Sequence, residues 1–113
     1  MEIDISGRHF HVTAPLKAYV TEKLGKLEKY ALKLETARVI FEVQRFHHLA
    51  EIVVRGKNLR LTAREENADT YAAFDECFGN IQLQLRRQHD RIKDHKARRF
   101  EGARADKRRK ERS

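Results

Sequence analysis

The side chains best suited to chemistry in this chain are cations, and several of them recur at helical spacing. Steps of three and four residues line up such side chains along roughly 15 Å of one helix flank, at about 1.5 Å per residue. A phosphate backbone presents negative charges at comparable intervals, so the pattern favours binding of a nucleic acid. The residues concerned are Arg86, His89, Lys93 and Lys96, with Gln82 one turn earlier.

A second basic flank, interleaved with aromatic rings, is predicted in the first third of the chain. Basic residues beside an apolar stripe often have only a structural role, because their methylene stems cover the edge of the core while the charged heads stay in water. For this flank alone the structural interpretation is favoured. The structural interpretation is less favoured for the later flank, because acidic residues do not balance its cations. The residues of the earlier flank are Tyr19, Lys23, Lys26, Tyr30 and Lys33.

The formal net charge of +8 is confined to one end of the chain. Residues 1–85 contain 12 basic and 12 acidic residues, whereas residues 86–113 contain 13 basic and 5 acidic ones. A field of one sign attracts polyanions, of which nucleic acid is the first candidate and an acidic membrane surface the second. Membrane-surface helices need a broad apolar face with exposed anchors such as Trp, and this chain has no Trp.

Histidine and cysteine raise the alternatives of a metal site and of covalent or acid–base catalysis. His9 and His11 share a side of an extended segment, and the pair His47 and His48 is expected between two strands. Their spacing matches no zinc site and no HExxH motif. Cys77 falls near an apolar helical stripe, where a small hydrophobic residue belongs. No catalytic residue, metal or cofactor is therefore predicted.

The chain carries no signal of export or membrane insertion. Its single cysteine cannot form an internal disulfide, and no charged segment followed by an apolar one opens the sequence. No apolar run approaches the roughly 20 residues that span a bilayer. We expect a cytoplasmic protein with no membrane partner.

The elements that must position the basic flanks follow from hydrophobic periodicity. Runs of alternating apolar and polar residues predict four strands, the first ended by Gly7 and the others forming an antiparallel meander with a turn at Gly56–Asn58. Apolar residues at steps of three and four predict two helices, with Thr13 and either Asn67 or Asp69 as N-caps. The strands are expected around residues 3–5, 37–43, 50–54 and 59–63, and the helices over residues 14–32 and 68–97.

Each predicted helix has one apolar stripe and the strands share one apolar face, so both helices should pack on the same side of the sheet. The expected fold is α+β, a two-layer sandwich of order β-α-β-β-β-α with a four-stranded sheet, similar to a double-stranded RNA-binding domain. One domain is expected over residues 1–97. Residues 98–113 contain a single large apolar residue, Phe100, and bury too little surface to offset the entropy of ordering, which predicts a disordered basic tail.

Several short motifs, in order and on this frame, carry a resemblance to a known family. They are Ile3 with Ser6–Gly7–Arg8, Val12–Thr13, Leu16–Lys17–Ala18–Tyr19–Val20, Lys23–Leu24, Leu27–Glu28–Lys29–Tyr30, Asp69–Thr70–Tyr71–Ala72–Ala73–Phe74–Asp75, Gln84–Leu85 and Ile92–Lys93–Asp94–His95. Over about residues 1–96 the chain resembles the short ribosome hibernation-promoting factor and ribosome-associated inhibitor A family, also called the sigma-54 modulation protein family.

The resemblance implies binding in the groove between head and body of the small ribosomal subunit, where the basic helices would lie on rRNA and overlap the tRNA and mRNA sites. Inhibition of translation under stress or starvation would then be steric and reversible. Asn80 and Leu83 stand where the family pattern has Lys and Arg, so the start of the second flank is less basic here. The expected RNA-binding residues are Arg8, Lys23, Lys26, Lys29, Arg86, Arg87, His89, Lys93 and Lys96.

The partners implied by the resemblance are the small subunit, through its rRNA, and whole ribosomes. Long family members carry a second domain that pairs ribosomes, and this chain ends before it. Pairing would therefore need a separate factor such as ribosome modulation factor, and the free protein is expected to be a monomer. Two other functions stay open: a general double-stranded RNA-binding or RNA-chaperone module, and a hydrolase or nuclease that uses His9, His11 or His47.

Overall fold

The computed structural model describes residues 1–30 and 33–101, with the backbone alone over residues 92–101. Its elements are strand β1 (Glu2–Arg8), helix α1 (Ala14–Gly25), a 3₁₀ helix (Lys26–Tyr30), strands β2 (Leu34–Gln44), β3 (His47–Gly56) and β4 (Leu59–Asn67), and helix α2 (Thr70–Glu101). This is the predicted order β-α-β-β-β-α, with the 3₁₀ helix added after α1. Within the described residues, no helix combines the length and the apolarity that crossing a membrane requires.

One four-stranded sheet of order β1-β2-β3-β4 forms the first layer. β1 pairs with β2 in parallel, which the crossover through α1 allows, and β2, β3 and β4 form the predicted antiparallel meander. The turn between β3 and β4 falls at the predicted Gly56–Asn58. β1 continues through Gly7, the residue predicted to end it, as far as Arg8, because both residues keep their register with β2.

The turn between β2 and β3 corrects one prediction. It consists of Arg45 and Phe46 alone, since Gln44 already pairs with His47 across the hairpin. The expectation that His47 and His48 lie between the strands is therefore wrong, and they are the first two residues of β3. The sequence contains no Gly or Asn at this point to mark so tight a turn.

The core lies between one face of the sheet and the helices. Phe41 of β2 contacts Phe74 of α2, with ring centroids 6.1 Å apart. Buried residues alternate along β2, β3 and β4 and recur at helical spacing along α1 and α2, which confirms the two-layer sandwich with both helices on one face. They are Leu16, Val20, Leu24, Leu27, Tyr30, Ala37, Val39, Phe41, Ala50, Ile52, Val54, Leu61, Ala63, Ala73, Phe74, Cys77, Phe78, Ile81 and Leu85.

α1 begins at its predicted N-cap, where Oγ1 of Thr13 accepts a hydrogen bond from the backbone N–H of Leu16 at 3.3 Å. The prediction of one helix reaching residue 32 is wrong, because the α-helix ends at Gly25 and a 3₁₀ helix follows. Glycine is the least favourable helix residue after proline, which makes this the weak point of the helix. Side chains three residues apart are eclipsed in a 3₁₀ helix, so Leu27 and Tyr30 both face the core.

α2 is capped at Asp69, one of the two predicted caps, whose Oδ2 accepts a hydrogen bond from the backbone N–H of Ala72 at 2.9 Å. The described part of the helix runs to Glu101, past the predicted residue 97, so residues 98–101 of the expected tail are helical. Alanine and arginine at residues 97–99 favour this continuation. The last described side chain of α2 that is buried is Leu85. The rest of the expected tail, residues 102–113, lies outside the described residues.

Candidate nucleic-acid interface

α1, with the 3₁₀ helix that continues it, lies beside α2 and runs in the same direction. Residues later in the first segment contact residues later in α2. Tyr19 meets Tyr71 with ring centroids 5.2 Å apart, and further along Tyr30 meets His89 at 6.3 Å. The two flanks predicted to be basic therefore face each other along one line, which we call the seam.

A hydrogen bond between the helices closes the start of the seam. The Tyr19 hydroxyl donates to Oδ1 of Asp75 at 2.6 Å, and the Tyr19 ring packs edge-on against Phe74 with centroids 6.0 Å apart. The hydrogen bond to Asp75, followed by burial, raises the pKa of Tyr19 to about 12, so the hydroxyl remains a donor at neutral pH. Sequence reasoning missed this contact, although Asp75 follows Tyr71 by one helical turn and so lies on the same flank.

Lys23 lies at the middle of the seam. Its Nζ is 5.6 Å from the ring centroid of Tyr19 in α1 and 5.8 Å from that of Phe78 in α2. The ammonium group thus sits over one aromatic ring from each helix, and both contacts are of the cation–π kind. Its side chain is half-buried, so the stem covers the helix junction while the charge reaches the surface.

The 3₁₀ helix brings Lys26 and Lys29 to one side of the chain. Residues three apart are eclipsed in this geometry, so the two exposed lysines form one column while Leu27 and Tyr30 form the buried column. Glu28 occupies the third column, with Oε1 4.0 Å from the N-terminal ammonium group of the chain. The lysine column is therefore turned away from the carboxylate of Glu28.

Arg86 and Arg87 are neighbours in the sequence but lie on different flanks of α2, because successive helical residues are rotated by about 100°. Arg86 continues the seam flank, one turn before His89. Arg87 continues the flank on which Nε2 of Gln84 donates to the carbonyl oxygen of Thr62 in β4 at 2.9 Å. Both arginines are exposed, but only Arg86 shares a surface with the lysines of the seam.

Asn80, which stands where the family pattern has a cation, bonds to its neighbours on the flank of α2 that faces β4. Asn80 Nδ2 donates to Oε2 of Glu65 at 3.3 Å, and Gln84 Nε2 donates to Oδ1 of Asn80 at 2.8 Å. The bond from Asn80 to Glu65, with that from Gln84 to Thr62, holds α2 to the sheet on the side away from the seam. Leu83, at the other position where a cation was expected, is exposed.

We call Lys23, Lys26, Lys29 and Arg86 the seam cations. Among the side chains of residues 1–30 and 33–91, no carboxylate lies within salt-bridge distance of any of them; the salt bridges found there involve other groups. His89 adjoins the seam cations, 39% exposed, with Nδ1 3.5 Å from Oδ1 of Asp90. Like charges gathered in this way repel one another and favour neutralisation by a polyanion.

Not every expected binding residue joins this surface. Arg8 is exposed at the end of β1, and α1, which follows, runs back for 12 residues or about 18 Å before the 3₁₀ helix begins. Arg87 lies on the far flank of α2. Lys93 and Lys96 follow His89 along α2, and their side chains fall outside the described part. The RNA-binding roles of all these residues remain predictions.

The histidines near the hairpin and the cysteine take structural positions. Nδ1 of His47 contacts Oε1 of Glu66, and Nδ1 of His48 is hydrogen-bonded to Oγ1 of Thr70. Throughout the described residues, no three metal-ligating side chains come together. Cys77 is buried, its Sγ donates to a β4 carbonyl at 3.2 Å, and burial raises the pKa of its thiol to about 12. The thiol is therefore neutral and inaccessible, as predicted for a core cysteine.

Comparison with known proteins points to one family. A family model described as Sigma 54 modulation protein / S30EA ribosomal protein matches residues 3–93. Curated relatives include the ribosome hibernation promoting factor of Salmonella typhimurium, 30% identical over 95 residues that cover 84% of this chain and 100% of the relative. The protein of the same name from Pseudomonas putida is 32% identical over 91 residues, which cover 80% and 89%.

Solved structures share the fold. The N-terminal domain of Thermus thermophilus Protein Y matches 77% of this chain and 98% of its own, with 31% identity and a TM-score of 0.71. A ribosomal subunit interface protein from Coxiella burnetii matches 78% of this chain and 97% of its own with a TM-score of 0.73; at 18% identity it bears on the fold alone. Because the family model spans both the sheet and the seam, the chain belongs to the Sigma 54 modulation protein / S30EA ribosomal protein family.

Proposed function

We propose that this protein holds ribosomes in a translationally inactive state by binding the rRNA of the small subunit. The observation that carries the proposal is the set of seam cations, gathered on one surface with no carboxylate partner among the described side chains. The curated relatives named ribosome hibernation promoting factor support the ribosome as the target. A polyanion such as rRNA would relieve the repulsion among these cations.

The spacing of the seam cations suits a phosphate backbone. Lys26 and Lys29 are about 6 Å apart along the 3₁₀ axis, at about 2.0 Å per residue, and Lys23 precedes Lys26 by about 4.5 Å of α-helix. Contacts with the rings of Tyr19 and Phe78 hold Lys23 in place. A cation that is already ordered loses less conformational freedom on binding, which favours affinity.

The proposed mechanism is steric occupation of the channel that tRNA and mRNA use, without a chemical step. With its helices against rRNA, the rigid two-layer body would exclude initiator tRNA and message. Coulomb attraction and counterion release would supply most of the binding energy, which makes binding reversible and sensitive to salt. In this proposal the protein is cytoplasmic and monomeric when free, and pairing of ribosomes requires a separate factor such as ribosome modulation factor.

Sedimentation tests the proposal. Purified protein is mixed at low salt with small subunits, large subunits or whole ribosomes, and each mixture is centrifuged through sucrose. We expect co-sedimentation with small subunits and whole ribosomes, release as salt rises, and loss of reporter translation with uncut rRNA. Cut rRNA would instead favour a nuclease acting through His9, His11 or His47, and failure to co-sediment at low salt would contradict the proposal.

A general double-stranded RNA-binding module is the second candidate, favoured by the two helices on one face of a largely antiparallel sheet. A short RNA duplex is added as competitor to the mixture of protein and small subunits at matched salt. Ribosome-specific binding predicts that the small subunit is bound much more tightly than the duplex. Equal affinity for the two would favour the general module.

A further inference from the structure

Phe46 is the most exposed large apolar side chain of the described residues, at 86%. It stands at the tip of the β2–β3 hairpin beside Arg45, which is also exposed. The core does not need this ring, because the buried residues of β2 and β3 lie further down the hairpin. A single exposed apolar residue is common in itself, so the surroundings of Phe46 decide its significance.

The base of the hairpin is anchored on several sides. His47 contacts Glu66 of β4, and His48 is hydrogen-bonded to Thr70 at the start of α2. The ring of His48 also meets that of Phe10 edge-on, with centroids 6.5 Å apart. The turn therefore projects from a fixed base, and an aromatic ring presented in this way loses little conformational freedom when a partner covers it.

The turn itself contains a residue in an unfavourable conformation. Arg45 has φ 55°, in the left-handed region that Gly, Asn or Asp usually fills in tight hairpins. Such a conformation costs a residue with a Cβ some stability. Arg followed by Phe thus makes a poorer turn than Asn-Gly, but it presents a guanidinium group and an aromatic ring side by side in solvent.

This pair of side chains has the chemistry that recognises unpaired RNA. Aromatic rings stack on splayed bases of any identity, and arginine contacts phosphates or stacks on a neighbouring base. β2 is 11 residues long, so at about 3.3 Å per residue the tip lies roughly 35 Å from the start of the strand. The strand starts shortly after the 3₁₀ helix that carries Lys26 and Lys29. The tip is therefore well separated from Lys26 and Lys29.

We propose that the hairpin tip is a second RNA contact, in which Phe46 stacks on an unpaired nucleobase and Arg45 contacts the adjoining phosphate. The inference rests on the proposed function for the identity of the RNA, the rRNA of the small subunit. Two contacts at opposite ends of a rigid body fix its orientation on the RNA, which a single basic surface does not. Stacking also adds affinity that is insensitive to salt, in contrast to the seam cations.

A substitution series at residue 46 separates stacking from other contacts. Affinity for purified small subunits is measured for the wild type and for Phe46→Tyr, Phe46→Leu and Phe46→Ala over a range of salt concentrations. We expect Phe46→Tyr to bind like the wild type, and Phe46→Leu and Phe46→Ala to bind roughly 5- to 100-fold more weakly with an unchanged salt slope. Circular dichroism checks the fold, which should be unaffected because the ring is exposed.

Phe46→Trp adds a direct readout, because the chain contains no tryptophan of its own. All indole emission of this variant comes from residue 46, and stacking on a base should quench it when small subunits are added. The double variant Arg45→Ala with Phe46→Trp removes the positive charge that is proposed to contact the adjoining phosphate. It should therefore show weaker quenching at the same subunit concentration.

The outcomes separate the two proposals. The stacking contact would be overturned if Phe46→Ala bound as well as the wild type and small subunits left the indole emission of Phe46→Trp unchanged. The proposed function would still stand. Wild-type affinity for Phe46→Leu would also overturn the stacking contact, in favour of an apolar pocket on a ribosomal protein. If the wild type does not bind small subunits at all, the proposed function fails and this inference fails with it.

Discussion

The two faces of the fold are both rich in charge, but they arrange it differently. On the outer face of the sheet, Nε of Arg38 lies 3.6 Å from Oδ2 of Asp4, and Arg64 stands opposite Glu51 in the β3–β4 register. Cross-strand pairing brings these opposite charges together, although Arg55 and Arg60 also stand opposite each other on this face. On the helix face, two basic flanks meet along the seam and bring like charges together. The two faces therefore differ in how their charges are arranged, and the proposed function places the polyanion against the helix face.

The largest expected effect comes from reversing charge on the helix face. The double variant Lys23→Glu with Lys26→Glu should bind small subunits roughly 100-fold more weakly or worse, because two attractions to phosphate become repulsive. The slope of log affinity against log salt should fall by about 0.9 for each phosphate that the protein no longer neutralises. Co-sedimentation over a salt series measures both quantities. Undiminished binding would remove these two lysines from the interface.

A matched control lies on the outer face of the sheet. Arg55 and Arg60 are exposed and stand directly opposite each other in the β3–β4 register. Reversing both to Glu changes the net charge as much as the lysine double variant does and keeps a like-charged pair across the strands. If binding depends on the seam rather than on total charge, this control should lose only a few-fold in affinity through the long-range field. Equal losses in the two double variants would mean that net charge alone controls binding.

A smaller effect on affinity is expected from reversing the charge of single arginines that are neighbours on α2. Arg86→Glu reverses a seam cation, whereas Arg87→Glu reverses a residue on the flank that faces β4. Both are exposed arginines on the same helical turn, so the two variants share composition, charge and helix propensity. We expect Arg86→Glu to lose about 10-fold in affinity and Arg87→Glu distinctly less, because only Arg86 lies on the proposed RNA-binding surface. A larger loss for Arg87→Glu would move the interface to the other flank.

Much of the fold was predictable because burial imposes a period on the sequence. The alternation along β2, from Ala37 to Phe41, and the stripe from Leu16 to Leu27 predicted both layers and the face on which they meet. The change from α-helix to 3₁₀ helix after Gly25 was not predictable, since a projection at 100° per residue assumes that the α-helix continues. That assumption placed Tyr30 on a solvent flank, whereas the structure buries it to 7% exposure.

The candidate site was predictable only in part, because a sequence shows flanks and not their partners. The basic flanks of both helices followed from spacing, but their meeting along the seam depends on tertiary contacts such as Tyr19 with Asp75. Helical spacing already put Arg86 and Arg87 on different flanks, but only the bond from Gln84 to Thr62 shows that the flank of Arg87 faces β4. The Phe46 turn escaped prediction because no Gly or Asn marks it.

The smallest expected effect tests what holds the helix face together. Tyr19→Phe removes the hydroxyl that donates to Asp75 and should lower the free energy of unfolding by about 1 kcal/mol or less at neutral pH. Tyr71→Phe, on the same seam, is the control, because no hydrogen bond of its hydroxyl is found among the described side chains. Urea denaturation followed by circular dichroism measures both variants.

The pH dependence of stability distinguishes this hydrogen bond from a simple packing contact. Folding raises the pKa of Tyr19 from 10.0 to about 12, so the folded chain holds this proton more tightly than the unfolded chain does. The stabilisation is complete below pH 10.0 and is lost as pH rises towards 12. Over that range wild type and Tyr71→Phe should lose more stability than Tyr19→Phe, so the curves for wild type and Tyr19→Phe should converge. A constant difference between them would show that the hydroxyl is not tied to Asp75 in solution and that packing around Lys23 aligns the helices instead.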